Sequence, residues 1–278
     1  MKNSDSRIYQ IACLLTFLLY GIFALNFDIG LAQILTIVTV ALCTQAMLLR
    51  YFVVPVHSYK SALISSLSLC LLLRSSSVVI LAAASAFTIA SKFLIRFRGK
   101  HIFNPTNIGI VVSVLLTESA WVSPGQWGSV AFIAGFVLCA GIFVSTHASR
   151  IDISFAFLLF YFFLLLARAW WLGDPWPIPL HQFQSGALLI FCFFMISDPM
   201  TTPNRRLARL LYAAIVSVIT YVFRFHFYEP NALLYALALL SPLVPVFDWI
   251  FPGSTHRWLN PKSSIKSSGQ QIPQLQGA

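Results

Sequence analysis

The sequence predicts an all-α integral membrane protein of about ten transmembrane helices, arranged as two inverted five-helix repeats with short or broken third and eighth spans. Three observations predict it. The chain of 278 residues is 58% hydrophobic and 9% charged, with a mean hydropathy of +0.81. Soluble domains carry about 25% charged residues, so this chain has lipid as its solvent. Its apolar runs recur at membrane-spanning length, and its basic residues fall almost wholly on one side of the map those runs define.

A helix needs about 20 apolar residues to cross the bilayer, fewer where flanking residues snorkel. The runs place spans at Ile8–Leu25, Gly30–Leu49, Ser61–Leu73, Val78–Ile95 and Asn107–Thr117. The second half repeats the plan at Trp127–Thr146, Ile153–Trp171, Ser185–Ile196, Leu207–Phe223 and Ala232–Phe251. The third, fifth and eighth are short. The opening stretch MKNSDSRIYQIACLLTFLLYGIFAL runs apolar to Leu25 with no small-residue cleavage site after it, so it reads as a retained first helix and not a signal peptide. Residues 1–259 form the membrane domain, with repeat halves of about 1–125 and 126–259. Residues 260–278 read as a disordered cytoplasmic tail, polar and poor in aromatics.

With both termini cytoplasmic, only Arg74, Arg168 and Arg224 lie outside; the other fifteen of the 18 basic residues lie inside. That bias obeys the positive-inside rule. It accounts for the net charge of +10 through anionic lipid headgroups and without nucleic acid. The same map puts Asp28, Glu118, Asp174 and Glu229 outside and Asp5, Asp152, Asp198 and Asp248 inside. No carboxylate sits at mid-membrane, so no buried proton or ion relay is visible. The expected location is the bacterial inner (plasma) membrane, multi-pass, with the lipid bilayer as a partner.

Five spans against five make an inverted pair. Ser61 and Ser185, which open the third and eighth spans, are 124 positions apart, and Pro105 and Pro230, before the fifth and tenth, are 125 apart. Short, broken segments at matched positions point to a binding site in such folds.

Two exits carry proline after a polar residue. Asn104-Pro105 opens the Pro-containing part of FNPTN, and Asp198-Pro199 lies in FFMISDPMTTPNRR. Proline turns the preceding residue out of helix and leaves backbone groups unpaired, which membrane proteins tolerate only where protein or a cavity covers them. Helix N-termini at such breaks suit an anion, and Arg205 and Arg206 follow the second. Taken singly, each pair is an ordinary helix start and the arginines obey the charge rule; together, on one side and beside short helices, they mark a site. The five cysteines sit in apolar runs with no CxxC or CxxH spacing, and the six histidines fall in loops or at helix ends, so no metal is expected. Trp170, Trp171 and Trp176 on one side and Trp249 and Trp258 on the other read as aromatic belts.

At these residues a family becomes recognisable. KHIFNPTNIGIVV (Lys100–Val112) and FFMISDPMTTP (Phe193–Pro203) resemble the two signature stretches of the NqrB/RnfD family, membrane subunits of sodium-pumping NADH:quinone reductase and of the Rnf ferredoxin:NAD complex. The likeness runs from about Arg7 to Arg257, and the compact form, with AWVSPGQWGS, is similar to the short RnfD-like branch that includes UnbU-type proteins of enediyne gene clusters.

The resemblance implies an electron-transport subunit, with other membrane redox subunits as partners. It implies a cofactor cavity lined by Asn104, Pro105, Thr106, Asn107, Ser197, Asp198, Pro199, Thr201, Thr202 and Arg205. The family carries FMN on a threonine of an S-G-A-T type motif. The loop Glu118–Gln126 holds no such motif, and Thr117 is the nearest threonine. A non-covalent FMN or riboflavin, or a quinone, or a cavity that lines a partner's cofactor, is therefore the expectation over a covalent flavin. The inverted-repeat plan also suits a small-solute transporter or channel, and the third reading is a scaffold without flavin.

Overall fold

The computed structural model describes residues 6–52, 59–123, 135, 136, 139 and 150–253. The chain is helical, as expected. The helices are α1 (Ser6–Ala24), α2 (Leu31–Tyr51), α3 (Lys60–Leu72), α4 (Val78–Leu94) and α5 (Pro105–Leu116), then α6 (Ile151–Leu172), α7 (Pro177–Phe183), α8 (Gly186–Ile190), α9 (Arg206–Phe225), α10 (Ala232–Leu240) and α11 (Val244–Ile250). A π-helical turn, Phe191–Met195, continues α8, and a 3-10 turn joins α10 to α11.

Five of these segments are long and apolar enough to cross a membrane: Arg7–Ala24, Leu31–Tyr51, Ile151–Leu172, Arg206–Phe225 and Ala232–Ile250. Four more apolar helices are shorter: α3, α4, α5 and Gly186–Met195. The sixth predicted span, Trp127–Thr146, lies outside the described residues save for Gly135, Phe136 and Cys139. So does the tail, 260–278. The large side chains that face outward are those of a lipid surface; Trp170 and Trp171 are 79% and 80% exposed at the end of α6.

Short helices need something to complete them. α3, at 13 residues, rises about 20 Å, less than the hydrocarbon core. It continues as a strand, β1 (Leu73–Ser75), which pairs antiparallel with β4 (Ala120–Val122) beyond α5, so its backbone stays bonded. Arg74, assigned to an outer loop by the hydropathy map, is buried in this ladder; its Nη1 donates to the carbonyls of Cys70 and Leu73 at 2.8 and 2.9 Å. A second small hairpin, β2 (Arg96–Phe97) with β3 (Lys100–His101), turns through Arg98 and Gly99, both at positive φ.

The helices pack as two sets of neighbours. α2 lies on α4 and α4 on α5; α6 lies on α9 and α9 on α10. α5 and α10 meet, and α1 and α3 meet. The α4–α5 contact is close enough to require glycine. A Cβ at Gly109 would fall on Thr88 Oγ1, with Thr88 Cβ only 3.0 Å away. The hydroxyl itself is buried without a hydrogen-bond partner among the described residues.

Gly109→Ala should therefore destabilise the folded protein by about 1–3 kcal/mol through overpacking. Thermal unfolding in detergent reads the loss, and Thr88→Ala in the same chain should return part of it. An unchanged melting temperature in G109A sinks this account of the contact.

Candidate functional site

The site forms where α3 and α5 begin, α4 ends and the π turn leaves α8. Asn104 caps α5 in extended conformation, its Oδ1 accepting the N–H of Asn107 at 3.1 Å, with Pro105 in the first helical position. The Nδ2 group of the same side chain faces the carbonyls of Phe194 and Met195, both at 3.4 Å, and Asp198 Oδ2 at 3.5 Å. A π turn leaves carbonyls out of the regular α ladder. Here side chains take them up: Ser154 Oγ donates to Cys192 O at 2.5 Å and Ser197 Oγ to Phe193 O at 2.6 Å.

A cavity of about 230 Å³ opens at this junction. Ser61, Ile64 and Ser65 of α3 line it, with Lys92 of α4, and Asn104, Pro105 and Thr106 of the α5 entrance. The exit from α8 contributes Phe193, Phe194, Ser197, Asp198, Pro199 and Met200. Arg7 and Gln10 of α1 and His101 of β3 complete the lining. Six of the ten residues expected from the sequence thus come together: Asn104, Pro105, Thr106, Ser197, Asp198 and Pro199.

The other four stand elsewhere. Asn107 is buried and donates from Nδ2 to Leu234 O of α10 at 3.1 Å. Thr201 and Thr202 fold back on the carbonyl of Asp198, at 3.4 and 2.9 Å. Arg205 is the residue before α9 and its side chain is exposed. Thr117 ends α5, its hydroxyl donating to Ser113 O at 2.7 Å, at the opposite end of the helix from the cavity.

The exit's partners are protein groups. Arg150, buried before α6, donates through Nη1 to Thr202 O, Thr202 Oγ1 and Pro203 O. Lys100 Nζ donates to Thr202 O at 2.6 Å and pairs with Asp248 at 2.8 Å. Asp248 Oδ1 accepts the N–H of Asn204 at 2.7 Å, and Arg209 grips Asp152 through Nε and Nη2 at 3.0 and 2.6 Å. The expectation of an anion held between the break and Arg205–Arg206 meets a different arrangement: the exit presents carbonyl oxygens, and buried cations take them.

Sequence reasoning missed Lys92 and noted His101 before FNPTN without placing it among the lining residues. Lys92 counts as a loop lysine in the hydropathy map, yet it lies in the last turn of α4, 7% exposed. His101 Nδ1 is buried with no hydrogen-bond partner among the described residues. Burial lowers its pKa from 6.5 to about 4, and the Arg96 and Lys92 charges push the same way. Burial raises the Asp198 carboxyl above its ordinary value, against the Met200 N–H and the charges of Lys92, Arg150 and Lys100. Among the described residues no group of three His, Cys, Asp or Glu is placed to hold a metal ion.

A sequence model of the NQR2, RnfD, RnfE family matches residues 116–255, half of the chain. The chain belongs to the NQR2, RnfD, RnfE family. The match includes the exit Phe193–Arg206; the FNPTN stretch lies before it. Among relatives, an ion-translocating oxidoreductase complex subunit of Erwinia tasmaniensis is 29% identical over 52% of this chain and 37% of its own length. Its counterpart in Shewanella pealeana is 29% identical over 54% and 43%. The counterpart in Haemophilus influenzae is 30% identical over 45% and 34%. The aligned part of the chain thus spans less than half the length of each of these relatives.

Two outcomes follow for this member of the family. Arg150→Met leaves the Pro203 carbonyl and the Thr202 hydroxyl without their cation, with Thr202 O still held by Lys100, and should cost about 2–4 kcal/mol; hydrogen exchange at residues 198–204 should accelerate with it, and unchanged protection there contradicts the bracing role. The unfolded state binds a proton at His101 near pH 6.5 and the folded state only near pH 4. Stability should therefore fall by about 1–3 kcal/mol as pH drops through that window. His101→Gln should flatten this dependence in unfolding curves; a slope retained in H101Q assigns it to another group.

Proposed function

We propose that this chain is the membrane subunit of an RnfD/NqrB-type electron-transport complex and holds a flavin, FMN or riboflavin, non-covalently in the cavity at the α5 entrance. The observation that carries the reading is the lining. Phe193, Phe194 and Ile64 offer apolar surface to the faces of a planar ring, while Lys92, Ser65 and His101 offer polar atoms to its edge. At about 230 Å³ the cavity is smaller than the roughly 300–1,000 Å³ that encloses a whole drug-sized ligand. It suits the ring, with the ribityl chain leaving through the mouth. A flavin bound through its phosphate to Thr117 would be tethered at the far end of α5, about 18 Å away by helical rise. A ring in this cavity is held without that bond. The flavin supplies one- and two-electron transfer; the chain's own residues bind it and exclude water.

The inverted-repeat architecture is part of the proposal. A second cavity, about 280 Å³, lies at the opposite end of the bundle, where Leu72 ends α3 and Arg224 approaches the end of α9. Its lining repeats the first at nearly constant offset: Ser61, Ile64, Pro105 and Thr106 correspond to Ser185, Leu188, Pro230 and Asn231, 124 or 125 positions on. Cys13 and Cys139, 126 apart, bring their Sγ atoms within 3.8 Å, as equivalent residues do where a pseudo-two-fold axis passes between them. The braced, basic end around Lys100, Arg150 and Arg209 is the cytoplasmic one in this arrangement, in a bacterial inner membrane with both termini inside. Two cavities at opposite ends also support a second reading, a small-solute transporter.

Absorbance decides between them. Detergent-purified protein should show the blue absorbance band of a flavin, released to the supernatant by acid, and Asn104→Ala should lower flavin affinity at least tenfold, about 1.4 kcal/mol. Colour retained in the acid pellet contradicts non-covalent binding. Folded but colourless protein that takes up no added flavin, and that moves solute in liposomes, favours the transporter.

A further inference from the structure

Lys92 is the one lysine among the described residues that lies more than nine-tenths buried. Its ammonium has three donors, and among the described residues a single hydrogen bond uses one of them, to Ser61 O at 3.0 Å. No carboxylate among the described residues lies within 4.0 Å of it. Asp198, on the same cavity wall, is its nearest countercharge in kind, but that carboxylate is turned to the Met200 N–H at 2.9 Å and to Asn104. A buried, unpaired ammonium is costly, and within a membrane domain such a residue marks function by default. The cavity beside it is walled by Phe193, Phe194 and Ile64, which supply no acceptor from their side chains.

We infer that Lys92 sets the redox preference of this cavity: it is a positioning charge that holds the electron-rich, reduced form of the bound ring more tightly than the oxidised form. The inference rests on the flavin reading of the same site. When dithionite reduces a flavin, the ring gains two electrons and one proton and keeps one negative charge. An ammonium fixed in a low-dielectric wall favours that charge, and the wall needs no rearrangement to do so. The Ser61 carbonyl anchors Nζ to the start of α3, which fixes the distance between charge and ring. A purely structural Lys92, pinning α3 to α4 through that bond, predicts no redox consequence.

The test compares wild-type protein with Lys92→Gln, Lys92→Arg and Lys92→Met. Affinity for oxidised riboflavin is read by fluorescence quenching and the midpoint potential by dithionite titration. Wild type should bind riboflavin. K92Q should lose at least tenfold more affinity for the reduced form than for the oxidised form. For a two-electron couple that is a potential lower by about 30 mV. K92R should keep the wild-type potential. Where K92Q does not accumulate, K92M gives the same reading with an apolar chain of similar length. Asp198→Asn, which removes the opposing charge, should shift the potential upward. A potential unchanged in K92Q or K92M overturns the inference and leaves the flavin site standing. Wild-type protein that binds no flavin overturns the site and the inference together.

Discussion

One amide side chain, Asn104, joins the start of α5 to the π turn after α8 at the wall of the cavity. Its carbonyl oxygen caps α5 and its amino group meets the carbonyls that end the π turn after α8. Neither segment could stand alone at membrane depth. A short helix starting at proline exposes N–H groups, and a π turn exposes carbonyls; in lipid each costs several kcal/mol unless satisfied. The chain satisfies donors with one end of Asn104 and acceptors with the other. The two breaks are held side by side, and the gap between them is the site.

The remaining polar groups follow the same logic. Arg150 and Lys100 fill the carbonyls of the exit, Asp248 ties the exit to α11, and Arg209 binds Asp152 at the foot of α6. Three groups distant in sequence, Lys100, Arg150 and Asp248, thus converge on residues 198–204. Their charges are matched there by carbonyls and carboxylates, so the braced exit forms a rigid wall. Lys92 is the exception, buried at the cavity wall and matched, among the described residues, by one carbonyl. A rigid wall with one undischarged cation suits a ligand that changes charge.

Hydropathy made most of the helices legible. α1, α2, α6, α9 and the α10–α11 segment begin and end within a few residues of the apolar runs that predict them. The Pro-containing exits were legible too, because proline and a preceding Asn or Asp leave the same mark in any solvent. Hydropathy could not show pairing. The β1–β4 ladder joins three-residue strands 47 positions apart, too short to alternate visibly. Arg74 and Lys92 read as loop charges because a window of apolar residues ends at the first basic one, whether that residue snorkels outward or turns into the core. The π turn left no sign in FCFFM, since an extra residue in a helix changes register and not composition. Thr201, Thr202 and Arg205 were named with the site because they adjoin it in sequence; the turn at Asp198 folds the threonines onto the backbone and leaves the arginine outside.

The site's chemistry is legible only when α3, α4, α5 and the α8 exit are folded together. A covalent bond fixes a cofactor wherever its residue stands. Thr117 stands at the far end of α5, with its hydroxyl occupied by Ser113 O. Asn104, Lys92 and Asp198 stand at the near end, contributed by α5, α4 and the α8 exit. A cofactor held there depends on the junction of these three elements, so its affinity reports the integrity of the Asn104 bridge. In such an arrangement folding and cofactor binding are linked: whatever stabilises the bound ring stabilises the paired breaks, by an amount set by ligand concentration relative to its dissociation constant.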